Sequence, residues 1–425
     1  MTTTEEVHRP HPSLGLLALL AVLVAGASSW AGAKVATVSG EVVEAEQVTF
    51  EAGGGVVVEG PAGQRRLEPG QLVAVEFGPP LAPGGSRARV LLTTGETLTG
   101  ALRELSTNSA TVHSRLLGEL QLARGEVGGA VFTEGVSLAD LLASPAGLVV
   151  LRNGDRIQGQ VESVRSGVAT LVTALGKLDV SLDRVAFIKN AELPPSWSRV
   201  ERPCAALALA DGDRLLGEVL GEADGKVRFH RLSAPTGAGT AGAPEATRPA
   251  ELAFPKSEVR EVRYLGEGVV YLSDLEPAQV EEKPFFNYLL AWQRDLSVGK
   301  ARLTLRGQMF DKGLGVHARC LLSYALGGNY ARFHSLVGID DETQGKGNCV
   351  FEVRADGKQL FASGPVTGQE APRPVDLDVR GAKELVLLVD FGEGGDVGDR
   401  ADWADAYLVT AEALTGTQSQ GKGTP

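Results

Sequence analysis

The chain has 425 residues, of which 43% are hydrophobic, and its 41 Lys and Arg against 53 Asp and Glu give a net charge of −12. This length predicts about two to four domains. The acidic balance argues against a nucleic-acid partner, because phosphate binding requires clustered Lys and Arg. The 54 Gly and 21 Pro residues indicate frequent turns, which favours many short strands and an all-β fold.

The first feature along the chain is a long apolar run, "LGLLALLAVLVAGA" at residues 14–27. It is short for a membrane span but suits the core of a signal peptide. The small residues "AGA" at 31–33 offer a cleavage site, although Glu5 and Glu6 offset Arg9 before the run. Residues 1–33 are therefore predicted to be a cleaved signal peptide or, alternatively, a single-pass membrane anchor. Both alternatives predict an exported protein that is secreted, periplasmic or at the cell surface.

An internal repeat follows, marked by a Gly–acid pair and a Leu or Ile two residues after the acid. Its three copies read "LTTGETLTG" (92–100), "LRNGDRIQG" (151–159) and "LADGDRLLG" (209–217). A Gly–acid pair between two apolar runs predicts a hairpin turn, since Gly readily takes positive φ. We interpret the acids Glu96, Asp155 and Asp213 as turn residues rather than ligand contacts.

We name the copies repeat B (88–134), repeat C (148–192) and repeat D (205–267), preceded by a possible degenerate repeat A (34–80). Each should form four or five short antiparallel strands. The Pro/Gly/Ala-rich stretch 233–250 in repeat D is predicted to be a flexible insertion, because it cannot bury apolar area. Two architectures fit: a small SH3-like or Sm-like barrel for each copy, or one β-rich array in which the copies share strands. The repeats show no catalytic constellation and are candidate contacts for envelope proteins.

The pattern changes at Gly268, where a single non-repeating unit begins, here named the C-terminal module (268–411). Seven or more short apolar runs separated by turns predict a β-sandwich, and its polar clusters lie in the loops, where sandwiches carry function. Residues 412–425 are polar and are predicted to be a disordered tail.

Several motifs of the module occur in a characteristic order. They are "YLSDL" (271–275), "DKGLGVHA" (311–318), "ARFHSLVGIDDE" (331–342), "VFEVRADGKQLFASG" (350–364), "VDLDVRGAKELVLLVDFGEGG" (375–395) and "DRADWADAYL" (399–408). This order resembles the NPCBM domain, a carbohydrate-binding module with a galactose-binding-like jelly-roll fold, over residues 269–411. The resemblance does not extend to the repeats.

The resemblance implies binding of sugars, typically in galactose-containing glycans, and related sandwich modules commonly carry one structural calcium. The sequence departs from the family at one position. The family usually reads Asp-His-Ala-Asp-Trp, whereas this chain has Arg400 at the histidine position. If that histidine contacts sugar in relatives, specificity here is changed or lost.

Sugar recognition requires an aromatic platform beside hydrogen-bonding groups, because a pyranose has an apolar face and a ring of hydroxyls. Trp403, Asp402, Asp399 and Arg400 supply such groups within five residues. Strand alternation in "DWADAYL" places Ala404, Ala406 and Leu408 on the apolar face, which predicts that Trp403 points outward or lies at a rim. The alternative is that Trp403 belongs to the core of the final strand.

Calcium requires oxygen ligands. Asp274 and Asp405 are the candidate ligands, because the first and last strands of such folds lie together. In "GIDDE" (338–342), Asp340 and Asp341 are candidate glycan contacts. A glycosidase role is disfavoured because adjacent strand residues point to opposite faces. His317 in "GVHA" is either a buried, hydrogen-bonded histidine or a sugar contact.

The three cysteines do not form a disulfide framework. Cys320 and Cys349 could pair in an oxidising compartment, or remain buried thiols. No nucleophile–base pair stands out, so we expect a non-enzymatic, exported protein that binds glycan or polysaccharide through its C-terminal module. The alternative is a structural or protein-interaction component of the cell envelope that has no functional sugar site.

Overall fold

The computed structural model describes residues 32–78, 88–197, 203–232, 251–266, 268–285, 288–393 and 395–420. Strands form most of this structure, so the predicted all-β class is confirmed. The apolar run 14–27 and the insertion 233–250 lie outside the described residues. Within the described ranges, no helix has the length and apolar character needed to cross a membrane.

The four repeats share one strand plan: a first strand, a Gly–acid turn, a second strand that is split in A and C, two further strands, a short 3₁₀ turn and a last strand. Repeat A has β1 (Ala33–Thr37), β2 (Val42–Ala45), β3 (Gln47–Phe50), β4 (Val56–Gly60), β5 (Gly63–Leu67) and β6 (Leu72–Phe77). Repeat B has β7 (Arg89–Leu92), β8 (Thr97–Leu105), β9 (Ser109–Ser114), β10 (Gly118–Ala123) and β11 (Val127–Val131), followed by helix α1 (Leu138–Ala143). Repeat C has β12 (Leu148–Leu151), β13 (Arg156–Gln158), β14 (Gln160–Arg165), β15 (Val168–Thr173), β16 (Gly176–Ser181) and β17 (Val185–Lys189). Repeat D has β18 (Cys204–Leu209), β19 (Arg214–Ala223), β20 (Lys226–Arg231), β21 (Glu251–Pro255) and β22 (Val259–Leu265).

The Gly–acid turn has the same geometry in every repeat. Its glycines, Gly40, Gly95, Gly154 and Gly212, have φ between 84° and 99°. In repeat B, the Gly95 amide donates to the Leu92 carbonyl at 3.0 Å, and the Leu92 amide donates to the Glu96 carbonyl at 3.0 Å. Glycine is needed here because other residues seldom adopt positive φ.

The repeats join through their last strands into an array. β6 of A pairs with β22 of D, and β11 of B pairs with β17 of C. One strand-pairing contact, Arg214 opposite Thr97, joins β19 of D to β8 of B beside their side-chain contacts, giving the spatial order A–D–B–C. The described pairings do not join the fourth strand of any repeat to its last strand, so no barrel closes. Of the two predicted architectures, the array with shared strands is the one observed.

The C-terminal module is a β-sandwich, as predicted. Its strands and terminal helix are β23 (Val269–Tyr271), β24 (Gln279–Glu282), β25 (Gln293–Arg294), β26 (Leu303–Leu305), β27 (Gln308–Phe310), β28 (Gly313–His317), β29 (Cys320–Ala325), β30 (Tyr330–Ile339), β31 (Asn348–Ala355), β32 (Lys358–Thr367), β33 (Arg373–Asp378), β34 (Glu384–Phe391), β35 (Arg400–Thr410) and α2 (Ala411–Gln420). One sheet has the order β25-β28-β35-β30-β33, with β23 also on β35, and the other has the order β24-β29-β34-β31-β32. Cys320 and Cys349 are buried and not bonded to each other.

The prediction of a disordered tail at 412–425 is wrong for its first part, because α2 continues directly from the last strand. Ala413 and Leu414 pack against a core cluster that contains residues of both the array and the module. Arg263 of repeat D also forms an ion pair with Asp405 of the module and donates a hydrogen bond to Tyr271 at 3.0 Å. Repeat A and repeat D therefore hold the module against one end of the array.

Candidate functional site

Trp403 lies in the core and not at a rim. It is 1% exposed, and its ring packs edge-on against Phe351 at 5.2 Å and tilted against Phe333 at 6.4 Å. The expected outward orientation is wrong because Asp405, with φ of 52°, forms a β-bulge in β35. A bulge shifts the alternation by one residue. Before the bulge, the side chains that face the core are those of Ala401 and Trp403. After it, they are those of Ala406 and Leu408.

Asp402 and Asp340 form a buried pair of carboxyl groups, 1% and 2% exposed. Asp340 accepts hydrogen bonds from the amides of Thr304 at 2.9 Å and Glu342 at 2.8 Å. No N–H or hydroxyl group of the described residues donates to either Asp402 oxygen. Burial, followed by the charge of Asp340, raises the pKa of Asp402 well above its usual value. Protonated Asp402 can therefore donate to Asp340, which makes this pair structural.

Asp341 and Asp399 each tie down a loop. Asp341 accepts hydrogen bonds from the amides of Arg306 at 3.0 Å and Gly307 at 2.7 Å. Asp399 is 1% exposed and accepts from the amide of Asn348 at 2.9 Å. Burial raises the pKa of Asp399 to about 6. Asp399 is therefore closed to sugar hydroxyls, whereas Asp341 is half-buried and its oxygens already accept two backbone amides.

His317 and Arg400 are the two predicted contacts that the structure brings together at an accessible position. They lie opposite each other on β28 and β35, at the end of the sheet. The Arg400 side chain is 37% exposed, and its Nη1 lies 3.3 Å from Glu342 Oε1. Glu342 is held from its other side by the Ser297 hydroxyl at 2.9 Å. Burial lowers the pKa of His317, which favours the neutral imidazole, and the ring already bonds to the Asp396 backbone.

An exposed aromatic ring, Phe285, lies at the same end of the module. It is 59% exposed, and its ring is fixed edge-on against Phe391 at 5.7 Å. Its amide donates to Asp396 Oδ2 at 2.9 Å, and a hydrogen bond to the Asp396 backbone contributes to the pKa of His317. Val397, the next residue along that loop, is 68% exposed. Asp396 thus contacts both residues, Phe285 through its carboxylate and His317 through its backbone.

We define the loop-end site as Phe285, His317, Glu342, Val397 and Arg400. The sequence pattern did not indicate Phe285, because the family-like motif of the final strand pointed to Trp403 instead. A usable signal was present in "KPFFNYLLAW" (283–292), an aromatic-rich stretch with a proline at its second position and no strand alternation. Aromatic rings outside the periodic segments cannot all enter the core. The site combines an apolar surface with a guanidinium, a carboxylate and a neutral imidazole, which suits a polyhydroxyl ligand.

The residues predicted to bind calcium do not fit that ion. Asp274 Oδ1 lies 2.7 Å from the ammonium of Lys312, and Asp405 is paired with Arg263. Lys312 is nearly fully buried and also binds Asp295 at 2.8 Å. The positive charge that a cation would bring to these carboxylates is supplied by Lys312 and Arg263. The described residues contain no group of three or more His, Cys, Asp or Glu arranged to hold a metal ion.

Comparison with known proteins identifies the module. Residues 268–409 match the NPCBM/NEW2 domain family, so the resemblance inferred from the motifs is confirmed. A protein of Renibacterium salmoninarum named as an endo-alpha-N-acetylgalactosaminidase is 34% identical over 107 residues, which are 25% of this chain and 7% of that relative. The chain therefore spans only a small part of the curated relative's length.

Two solved structures are also similar. A CBM51 module from Clostridium perfringens GH95, in complex with methyl-galactose, is 31% identical with a TM-score of 0.31, covering 33% of this chain and 99% of that one. The tandem CBM51 modules of Sp3GH98 from Streptococcus pneumoniae SP3-BS71 are 14% identical with a TM-score of 0.30, covering 88% of this chain and 87% of that one.

Proposed function

We propose that the C-terminal module binds glycan at the loop-end site and that the repeat array carries it. The observation that carries this proposal is Phe285. Its ring is 59% exposed, yet it is fixed by Phe391 and by Asp396. A ligand that covers an exposed aromatic ring gains free energy by removing apolar area from water. A rigid ring also loses little conformational entropy when it binds.

The polar groups of the site match the hydroxyls of a sugar. One face of a pyranose would stack on Phe285, while Arg400 and Glu342 would supply a donor and an acceptor. His317 would add the ring nitrogen that does not bond to the Asp396 backbone. Because Arg400 and Glu342 already contact each other, their orientation is set before the ligand arrives, which favours affinity.

We propose further that the protein is exported and acts by binding, without catalysis. The apolar run 14–27 supports export. The hydrogen bonding of Asp340 and Asp341 supports the absence of catalysis, since backbone amides occupy both carboxylates. A glycosidase needs a pair of carboxyl groups that face a bond from opposite sides.

The test is a thermal-shift panel of sugars on the full chain, kept in non-ionic detergent because of residues 14–27. Methyl-galactoside, N-acetylgalactosamine and N-acetylglucosamine are the first probes. A ligand that binds the native state raises the unfolding temperature, and Phe285→Ala should abolish the shift while Phe285→Tyr retains it. If a sugar raised the unfolding temperature of the Phe285→Ala variant as much as that of the wild type, the sugar would bind at another site. A stable protein that binds no glycan would favour the envelope-component alternative.

Arg400 offers a test of specificity. The Arg400→His variant restores the residue that is usual in the family. We expect it to raise the preference for galactosides over the sugar that the wild-type chain prefers, because a shorter neutral group no longer pairs with Glu342. Equal sugar preferences of the two proteins would show that position 400 does not contact the ligand.

A further inference from the structure

Repeats B and D contact each other through one face of each repeat, here called the signature face: the Gly–acid turn and the second and third strands. Glu96 of B accepts a hydrogen bond from the Leu216 amide of D at 3.0 Å and binds Arg231 of D at 2.8 Å. Arg231 also binds Glu126 of B at 3.0 Å. Glu96 and Arg231 are 2% and 5% exposed, so this is a buried, multiply bonded ion pair.

The contact is reciprocal. Asp213 of D, which follows its turn glycine as Glu96 does in B, accepts hydrogen bonds from the Thr99 amide and from the Ser114 hydroxyl, the latter at 3.0 Å. The strand registers make three pairs of positions equivalent: Glu96 and Asp213, Thr99 and Leu216, and Ser114 and Arg231. Each acid thus binds the same two positions of the other repeat, as at an interface with a local twofold axis. A signature face is therefore complementary to another signature face.

Repeat C has the same face, but nothing in the described structure covers it. The equivalent positions are Asp155, Gln158 and Thr173. Asp155 and Gln158 are exposed, whereas Glu96 and Asp213 are 2% and 0% exposed. Repeat C lies at the free end of the A–D–B–C order, while repeat A at the other end packs against the module.

Apolar residues beside the signature face, on the fourth strand and in the turn before it, show the same contrast. Leu120 of B and Leu252 of D occupy equivalent positions and are 8% and 7% exposed, whereas their counterpart Leu178 in C is 43% exposed. Leu117 of B packs against the core, while the equivalent Leu175 of C is 100% exposed. Leucine side chains at such exposure offer apolar area that a partner would favourably remove from water.

We propose that the signature face of repeat C binds the signature face of repeat C in a second copy of this chain. The B–D interface supplies the geometry, since it joins two such faces around a local twofold axis. In the dimer, each Asp155 accepts hydrogen bonds from the Gln158 backbone amide and the Thr173 hydroxyl of the other chain. In the single chain that hydroxyl donates to the Gly176 carbonyl and Asp155 accepts from the Asn153 side chain, so the hydroxyl turns to a new acceptor when the dimer forms. The array then continues without interruption as A–D–B–C–C–B–D–A, with one C-terminal module at each end. Two modules on one assembly would bind a polymeric glycan with gain from avidity.

The dimer is tested by sedimentation velocity of the full chain in non-ionic detergent over a range of concentrations. The wild type should show a concentration-dependent dimer. Leu175→Glu should weaken it by about tenfold or more, because a charge enters the centre of the apolar contact. Val280→Glu is the matched control, since Val280 is 41% exposed on the far module, and it should leave the dimer unchanged. A wild-type monomer at every concentration, or a dimer insensitive to Leu175→Glu, would overturn the proposal.

A second variant tests the proposal by strengthening the dimer. In D the position of Thr173 is occupied by Arg231, which pairs with the acid of the opposite face. Thr173→Arg should therefore tighten the dimer by about tenfold, because the twofold axis creates two ion pairs with Asp155. Adding Asp155→Asn should remove that gain. Unchanged association of the Thr173→Arg variant would contradict the assigned contact, even if the wild type dimerises by another surface such as residues 14–27.

Discussion

The B–D interface and the loop-end site both combine a guanidinium with carboxylates, but they treat those groups differently. In the interface, Arg231 and Glu96 are 5% and 2% exposed and are joined by two hydrogen bonds. At the loop end, Arg400 remains 37% exposed beside Glu342, next to a ring that is 59% exposed. Buried and satisfied polar groups hold a fold together, whereas oriented and exposed groups remain available to a ligand. The comparison teaches that residue types alone do not distinguish the two uses.

The largest effect is expected from breaking the buried ion pair between repeats B and D. Arg231→Met leaves Glu96 and Glu126 buried without their cationic partner, which should lower the free energy of unfolding by about 3–5 kcal/mol. Denaturant unfolding of the full chain measures this loss. Arg228→Gln, on the same strand but in an exposed pair with Glu251, is the control and should unfold like the wild type. Equal stability of the Arg231→Met variant would mean that the ion pair does not hold B to D.

A second prediction separates the two aromatic residues of the module. Trp403→Ala should destabilise the module by about 3–5 kcal/mol, because it opens a cavity against Phe333 and Phe351. Phe285→Ala should leave the unfolding temperature of the unliganded protein within error. Calorimetry of both variants checks this. Comparable destabilisation by Phe285→Ala would show that this ring serves the core rather than a ligand.

A third, smaller effect sharpens the contrast between the two acids of the interface. Glu96 binds the cationic Arg231, whereas the equivalent Asp213 binds the neutral Ser114. Burial, followed by the charge of Asp211, raises the pKa of Asp213 to about 7. The folded state therefore keeps a proton that the unfolded state, with a pKa near 3.8, has released. Stability from this group is fully present below pH 4 and is lost progressively up to about pH 7.

Asp213→Asn should remove that loss, since without a charge its amide oxygen can accept from the Thr99 amide and its NH2 group can donate to the Ser114 hydroxyl. The variant should gain stability over the wild type as pH rises from 4 to about 7, measured by denaturant unfolding at each pH. Asp183→Asn, an exposed substitution in repeat C, should follow the wild-type profile. A constant difference between Asp213→Asn and the wild type at all pH values would contradict a protonated Asp213.

Local chemistry made much of the fold predictable. The Gly–acid turns could be identified because positive φ at Gly95, Gly154 and Gly212 is a requirement of one residue and its neighbours. The motif order of the module was specific enough to give its family. Which acids become buried could not be inferred, because Asp155 and Asp213 share a sequence pattern and differ only in whether another repeat covers them.

The loop-end site was less predictable, because its geometry also depends on contacts between residues that are distant in sequence. Alternation placed Trp403 outside because one residue, Asp405, enters the left-handed region and shifts the register. A bulge depends on pairing with β28 and β30, which lie far away in sequence. Phe285 becomes a site residue only because the loop of Asp396 folds against it. Among the predicted contacts, His317 and Arg400 meet at an accessible surface, while Asp340, Asp399 and Asp402 serve the structure.

The most direct test of the account is calorimetric titration of the full chain with the best sugar of the panel, compared with Phe285→Ala and with the control Val280→Ala. The account predicts that Phe285→Ala weakens binding by about tenfold or more, with unchanged stability, and that Val280→Ala binds like the wild type. Wild-type affinity in the Phe285→Ala variant would contradict the assignment of the loop-end site.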